Sequence, residues 1–234
     1  MKTIGLLGGM SWESSLEYYR IINEETKRRL GGSHSAKCLM YSFDFHAIEE
    51  MQKRGEWGKL TEELTVQANN LKNAGADFLI ICTNTMHLMA PAIAARTGLY
   101  VLHIADAAGA AIKEKGLQKA ALLGTNFTMQ GAFYREVLQE RHGIQVIIPE
   151  EEDREIIHSV IYSELILGIF RDESRKRYLE IIERLAEKGA EGVVLGCTEI
   201  PLLIKQEDTA VPVFDTTDIH ARAAVRYALE DENL

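Results

Sequence analysis

Residues 75–85 read Gly-Ala-Asp-Phe-Leu-Ile-Ile-Cys-Thr-Asn-Thr, and residues 189–199 read Gly-Ala-Glu-Gly-Val-Val-Leu-Gly-Cys-Thr-Glu. The two stretches align without gaps at an offset of 114, placing Gly75 on Gly189, Ala76 on Ala190, Asp77 on Glu191 and Thr83 on Cys197. In each, a glycine closes an amphipathic run, as expected of a helix stop. A continuous apolar run then follows, as expected of a strand covered on both faces. The repeat therefore predicts a duplicated fold in which one buried strand per half ends on a side chain that can carry a proton. Two such ends facing each other across a cleft would set proton carriers on opposite faces of one small ligand, a geometry suited to inverting a carbon centre.

Outward from these stretches, strand and helix alternate. Thr3–Leu7 reads as a strand ending in Gly8-Gly9, and helical spacing starts near Trp12. Ala36–Asp44 reads as a strand, 57–74 as an amphipathic helix, Asp77–Cys82 as a strand, 87–96 as a helix and Val101–Ile104 as a short strand. The pattern restarts with strand Lys119–Leu123 at Gly124-Thr125. It continues through helix 129–141, strand Ile144–Ile148, helices around 151–167 and 173–188, strand Gly192–Leu195, Val213–Asp215 and a helix over about 217–230. Such alternation means parallel sheets flanked by helices. The expectation is an α/β chain of two similar domains, residues 1–98 plus about 210–234 and residues 99–209. They are expected to be related by a pseudo-twofold, with the site in the cleft between the strand ends.

Composition narrows the function. With 234 residues, 46% hydrophobic and 26% charged, the chain has the make-up of an ordinary globular protein. A net charge of −9 excludes the basic face of a nucleic-acid binder. It also means that an anionic substrate needs local helix N-termini or cations at its site. No apolar run approaches the ~18 residues of a membrane span. Three cysteines, Cys38, Cys82 and Cys197, do not make a disulfide framework, and a cytoplasmic protein with reduced thiols is expected.

Cys197 lies between Gly196 and Thr198-Glu199-Ile200-Pro201, just past its strand. A thiol near a helix start is expected to have a lowered pKa, and the alternative is a buried, inert cysteine. Placement at matching points of two halves favours function. Strand alternation then sends Thr83 to the ligand and Cys82 to the core. Asn84 and Thr85 follow Thr83 as Thr198 and Glu199 follow Cys197. Both pairs are placed to hold a carboxylate or to cap a helix. Gly8-Gly9-Met10-Ser11 and Gly124-Thr125-Asn126-Phe127-Thr128 occupy matching turns, but neither fits a dinucleotide or phosphate-loop spacing. His87, His103 and His220 lack metal-ligand spacing, so no metal is expected. His87 is read as orienting the loop behind Asn84, and Trp12 and Trp57 as packing residues.

These motifs together resemble the aspartate/glutamate racemase family: Gly8-Gly9-Met10, Cys-Thr-Asn-Thr-Met-His at 82–87, Gly124-Thr125 with Thr128, Gly-Cys-Thr-Glu at 196–199 and Val-Phe-Asp with His220. The resemblance covers essentially the whole chain. It implies two α/β domains, an amino-acid substrate, a homodimer, and racemisation with no cofactor. In the family, one cysteine per domain flanks the α-carbon. Carried over, Cys197 and Thr83 are the catalytic pair. Asn84, Thr85, Thr198 and Glu199 hold the substrate carboxylate and ammonium, and Met10, Gln52, Thr125 and Thr128 are further contacts. Two departures stand out. Thr83 occupies the usual place of a cysteine, and a lysine often found in the Leu-Lys-x-Gly region is missing from Leu165-Ile166-Leu167-Gly168.

A threonine hydroxyl alone is a poor base, whereas a thiol near pKa 8.5 can be tuned toward neutrality. The expected reaction is therefore asymmetric: Cys197 deprotonates one enantiomer and Thr83 reprotonates the opposite face. The resemblance, in which the second-domain cysteine works on the L form, implies that this enantiomer is L. Three readings compete. One is a racemase of broader amino-acid specificity. Another is a cofactor-free isomerase or lyase of an unsaturated diacid, with Cys197 as nucleophile. The third is an amino-acid-binding protein without turnover.

Overall fold

A computed structural model describes residues 1–230, and the chain divides into two compact units. The first runs from Met1 to Ile104 and takes in the chain again from His220; the second is Ala105–Ile219. The sequence placed these changes near residues 98 and 210. The later returning point reflects Val213–Asp215, which pairs within the second sheet rather than joining the first unit.

The first unit contains β1 (Ile4–Gly8), α1 (Trp12–Leu30), β2 (Cys38–Ser42), α2 (Phe45–Lys53), α3 (Trp57–Asn73), β3 (Phe78–Ile81) and α4 (Ala90–Thr97). Its sheet is parallel, in the order β2-β1-β3, and Val101 bridges Leu79 at the free side of β3. Alternation along the strands sorts the core into two layers. Ile4, Leu6, Phe78, Ile80 and Cys82 pack with Tyr18, Ile21 and Ile22 of α1. Leu7, Leu79 and Ile81 pack with Leu60, Leu64, Ala68 and Leu71, which recur at helical spacing along α3. Both faces are thus covered, which explains why β3 reads as one apolar run.

The second unit carries α5 (Ile104–Glu114), β4 (Lys119–Gly124), α6 (Asn126–Gln130), α7 (Ala132–Glu136), β5 (Gln145–Ile147), α8 (Glu151–Ser163), α9 (Asp172–Glu187), β6 (Gly192–Gly196), α10 (Ile200–Leu203), β7 (Val213–Asp215) and the start of α11 (Thr216–Leu229). Its sheet is parallel, in the order β5-β4-β6-β7. Ala121, Leu123, Val193 and Leu195 face Ile157, Ile161, Tyr178, Ile181 and Leu185 of α8 and α9. The rest of α11 belongs to the first unit, where Ala221, Ala224, Val225 and Ala228 complete the layer against β1 and β3.

The duplicated stretch now has a physical account. Gly75 and Gly189 sit at φ 105° and 96°, in the region that favours glycine, and each turns the chain out of the preceding helix. Ala76 and Ala190 return N–H bonds to Leu71 and Leu185 in that helix, both at 3.0 Å. The following acid then clamps the neighbouring strand. The Asp77 carboxylate accepts from the Thr3 amide at 2.6 Å, and the Glu191 carboxylate accepts from Gln118 and Lys119 at 2.7 and 2.9 Å. Even the far edge repeats: Leu79 donates to the Tyr100 carbonyl at 2.9 Å as Val193 donates to Pro212 at 2.8 Å.

Two expectations need correction. Helix 129–141 is broken into α6, α7 and a π turn over Val137–Arg141, because Gly131 is extended at φ −63°, ψ 128°. Trp12 is not a packing residue. It is 65% exposed and, with Leu16 at 55% and Tyr19 at 51%, forms an apolar face on α1; Trp57 does pack against the core.

Candidate active site

The two strand ends singled out by the repeat differ in how their proton carriers are held. β6 delivers Cys197 on the same face as Val193 and Leu195, and the residue is 8% exposed. Its thiol donates to Glu199 Oε2 at 3.0 Å, and the Thr198 hydroxyl donates to the same oxygen at 2.9 Å. Glycine before the cysteine has a steric reason. A Cβ on Gly196 would lie 2.8 Å from Leu122 Cδ1, 2.9 Å from the Leu123 carbonyl and 3.1 Å from Thr128 Cγ2.

The thiol is pushed well above the ordinary cysteine range, first by burial and then by the charge and hydrogen bond of Glu199. This corrects the expectation of a lowered value. The backbone amides of Thr198 and Glu199 do pull the other way, but α10 is a single turn and its field is outweighed by a carboxylate in contact. Cys197 is therefore held as a thiol aimed at a proton acceptor.

Beside it, Gly124 and Gly196 are register partners across β4 and β6. This places the turn after β4 next to the cysteine. Thr125 caps α6, and its hydroxyl lies 3.3 Å from the Thr128 hydroxyl, with both residues buried. Thr125, Thr128, Cys197, Thr198 and Glu199 are thus brought together at one end of the second sheet.

In the first unit Thr83 is half-buried at the end of β3. The Cys82 amide still continues the ladder to the Leu7 carbonyl at 2.9 Å, and its side chain lies fully in the core. Cys82 belongs to the core, as read from the sequence, while Thr83 stays outside that layer. Burial pushes the Cys82 thiol up, and no charged group lies among the causes. Asn84 and Thr85 are buried where a 3₁₀ turn, Thr85–Met89, begins. Met10 is buried just past β1. Gln52, 6% exposed near the end of α2, sets its amide nitrogen 3.9 Å from Met86 Sδ; its Oε1 is buried with no hydrogen-bond partner among the described residues. An unsatisfied buried acceptor of this kind is costly and suits a ligand donor.

Sequence spacing hid one feature. His87, His103 and His220 converge, with ring centroids 4.7 Å apart for His87–His103 and 5.4 Å for His87–His220. Only the fold brings position 220 to positions 87 and 103. Among the described residues no group of histidine, cysteine and acidic side chains is arranged to hold a metal, and no helix is long and apolar enough to cross a membrane.

Comparison with known proteins places this architecture. The family profile described as Asp/Glu/Hydantoin racemase matches residues 7–224. A candidate Asp/Glu racemase from Yersinia pestis, known from its crystal structure, is 52% identical with a TM-score of 0.92, over 98% of this chain and 100% of that one. An aspartate racemase homologue from Pyrococcus horikoshii OT3 is 33% identical with a TM-score of 0.84, over 97% and 99% of the two chains. The broad specificity amino-acid racemase RacX of Bacillus subtilis (strain 168) is 23% identical over 232 residues, 95% of this chain and 96% of its own.

Proposed function

Since the chain belongs to the Asp/Glu/hydantoin racemase family, we propose that it racemises an acidic amino acid, aspartate or glutamate, by two-base transfer of the α-proton without a cofactor. The observation that carries this reading is the Cys197 thiol, hydrogen-bonded to Glu199 at a strand end whose duplicate is Thr83.

In the L to D direction the reaction begins at the thiol. The Cys197 proton passes along its existing bond to Glu199, leaving a thiolate. The thiolate takes the α-proton, so that a C–H bond breaks, an S–H bond forms and the electron pair stays on the α-carbon. The Thr83 hydroxyl gives its proton to the opposite face. Solvent then recharges Thr83, while Glu199 gives up its proton to solvent. Every group returns to its starting state. Bringing the substrate ammonium to Glu199 supports the first step, because a cation there offsets the carboxylate charge that disfavours the thiolate. A hydroxyl is a far weaker base than a thiolate, so the enantiomer facing Cys197 is the preferred starting material, and the family's pattern makes that enantiomer L. The equilibrium constant of the free enantiomers stays at one, and a low kcat for D is matched by its KM.

Gln52, Met10, Asn84 and Thr85 of the first unit, and Thr125, Thr128 and Thr198 of the second, are assigned to substrate contact. The buried Gln52 acceptor supports that assignment. Broader specificity is a second reading. It is favoured by the missing lysine in 165–168 and by the broad specificity for which the Bacillus subtilis relative is named.

Incubating each L-amino acid with the protein in D2O, and following loss of the α-proton signal by NMR, tests both. Exchange confined to aspartate and glutamate favours the first reading, and exchange across many side chains favours the second. Failure of every amino acid to exchange would remove racemisation. The homodimer and the cytoplasmic location expected of the family belong to the same proposal. The exposed apolar face of Trp12, Leu16 and Tyr19 supports self-association, which light scattering would test.

A further inference from the structure

We propose that His87 is a positioning residue for Thr83, fixing the strand end that carries the hydroxyl through a hydrogen bond to the Thr83 carbonyl. This rests on the racemase reading of Thr83.

His87 Nδ1 lies 2.8 Å from the Thr83 carbonyl oxygen. A carbonyl has no proton to give, so Nδ1 carries the hydrogen and donates. The His87 backbone amide donates to the Asn84 carbonyl at 3.1 Å, so the residue grips the segment at two points. The segment needs such a hold. β3 ends at Ile81, the 3₁₀ turn begins only at Thr85, and Thr83 lies between the two elements.

The ring is in turn held from behind. His220 Nε2 faces the Leu102 carbonyl at 2.9 Å, which fixes its proton there and leaves Nδ1 to accept from the Tyr18 hydroxyl at 2.8 Å. His103 packs on the other side of His87. Burial first, then the neighbouring His103 and His220, hold His87 well below the usual histidine range, and burial brings His220 down to about 4. His87 and His220 are therefore uncharged at neutral pH, and the hydrogen on His87 Nδ1 is directed at the Thr83 carbonyl.

The duplication supplies an independent argument. At the same offset that carries Thr83 onto Cys197, His87 falls on Pro201, which has no side-chain donor and no amide hydrogen. At the edge strand, where Val101 corresponds to Val213, His103 falls on Asp215. The half with the thiol thus lacks the device. The half with the hydroxyl, whose proton transfer is weaker and more demanding of geometry, has it.

The test reads how the carbanion divides between its two faces. L-aspartate or L-glutamate in D2O yields deuterated D product when the solvent-exchanged Thr83 side supplies the deuteron, and deuterated L product when Cys197 exchanges the proton it took for a solvent deuteron and returns that. Their early ratio comes from one sample and does not depend on how much enzyme has folded. His87→Leu removes the donor, His87→Gln moves it to the Nε2 position, and His87→Asn restores it near Nδ1. The expected result is a D:L partition lowered by roughly tenfold or more in the Leu and Gln variants, since a misplacement of about 1 Å costs up to about 10²-fold. His87→Asn should recover most of it. If His87→Leu does not fold, the Asn–Gln contrast alone decides. A partition unchanged in His87→Gln, or rescued by Gln and not by Asn, overturns the role of His87 while leaving racemisation intact. Absence of exchange in the unmodified protein would instead overturn the reading on which the inference rests.

Discussion

Replacing Glu199 by glutamine tests the electrostatics of the Cys197 thiol directly. Sγ and Glu199 Oε2 are 3.0 Å apart, and both residues are buried. Once Cys197 ionises, two like charges meet at that distance. At an effective dielectric of ~20 they repel by about 5–6 kcal/mol. Relaxation and entering water reduce this, and taking about half leaves ~3 kcal/mol, or roughly a 10²-fold larger thiolate population in Glu199→Gln. A less basic thiolate is also a weaker nucleophile, with a Brønsted slope near ~0.4–0.5, so alkylation of Cys197 should accelerate by roughly tenfold. Iodoacetamide labelling at neutral pH checks this, with peptide mass spectrometry separating Cys197 from Cys38 and Cys82. The same variant should lose α-proton exchange, because the carboxylate that disfavours the thiolate is also the group that receives its proton. Labelling at Cys197 that is unchanged or slower in the variant would refute the assigned source of the raised thiol.

Cys197→Ser should nearly abolish α-proton exchange from the L enantiomer, and Thr83→Cys should accelerate the reaction of the D enantiomer; NMR in D2O with each enantiomer at saturation reads both. Cys82→Ser puts a hydroxyl into the layer formed by Tyr18, Phe78 and α11, and should cost about 1–3 kcal/mol in chemical denaturation while sparing the proton partition. Acid should destabilise the fold through His220, held at about 4 against 6.5 for the unfolded side chain. Between those values only the unfolded chain takes up the proton. Stability is therefore lost as pH falls from about 6.5 and the loss is complete below about 4, amounting to about 3 kcal/mol. Denaturation midpoints across that range check the sign, and a flat profile would contradict it.

The sequence made the repeating unit readable because its signals are local. Gly75 and Gly189 stop helices, an acid follows at a fixed offset, and an apolar run needs cover on both sides. The place of Cys82 in the core, with Thr83 outside that layer, followed from strand alternation alone. Three features were beyond such rules. The break at Gly131 depends on one backbone conformation inside an otherwise helical pattern. The upward shift of the Cys197 thiol depends on how deeply the fold buries it and on where the Glu199 side chain turns, neither of which is written in the local sequence. The histidine cluster depends on α11 returning beside β1, which brings position 220 to positions 87 and 103 with no trace in their spacing. Trp12 shows the converse error: helical spacing identifies a face but not what lies against it.

The return of α11 bears on the order in which the protein matures during synthesis. Ala221, Ala224, Val225 and Ala228 close a layer whose members outside α11 all precede residue 103. A ribosome making this chain emits the first sheet early, yet one of its faces, covered in part by α1, is not closed until α11 has been made. The second sheet has its strands and covering helices in hand sooner, so the later-encoded unit is positioned to set first and the earlier-encoded one last. A nascent chain stalled before Thr216 should accordingly expose Ile4, Leu6, Phe78 and Ile80 to any chaperone waiting at the exit.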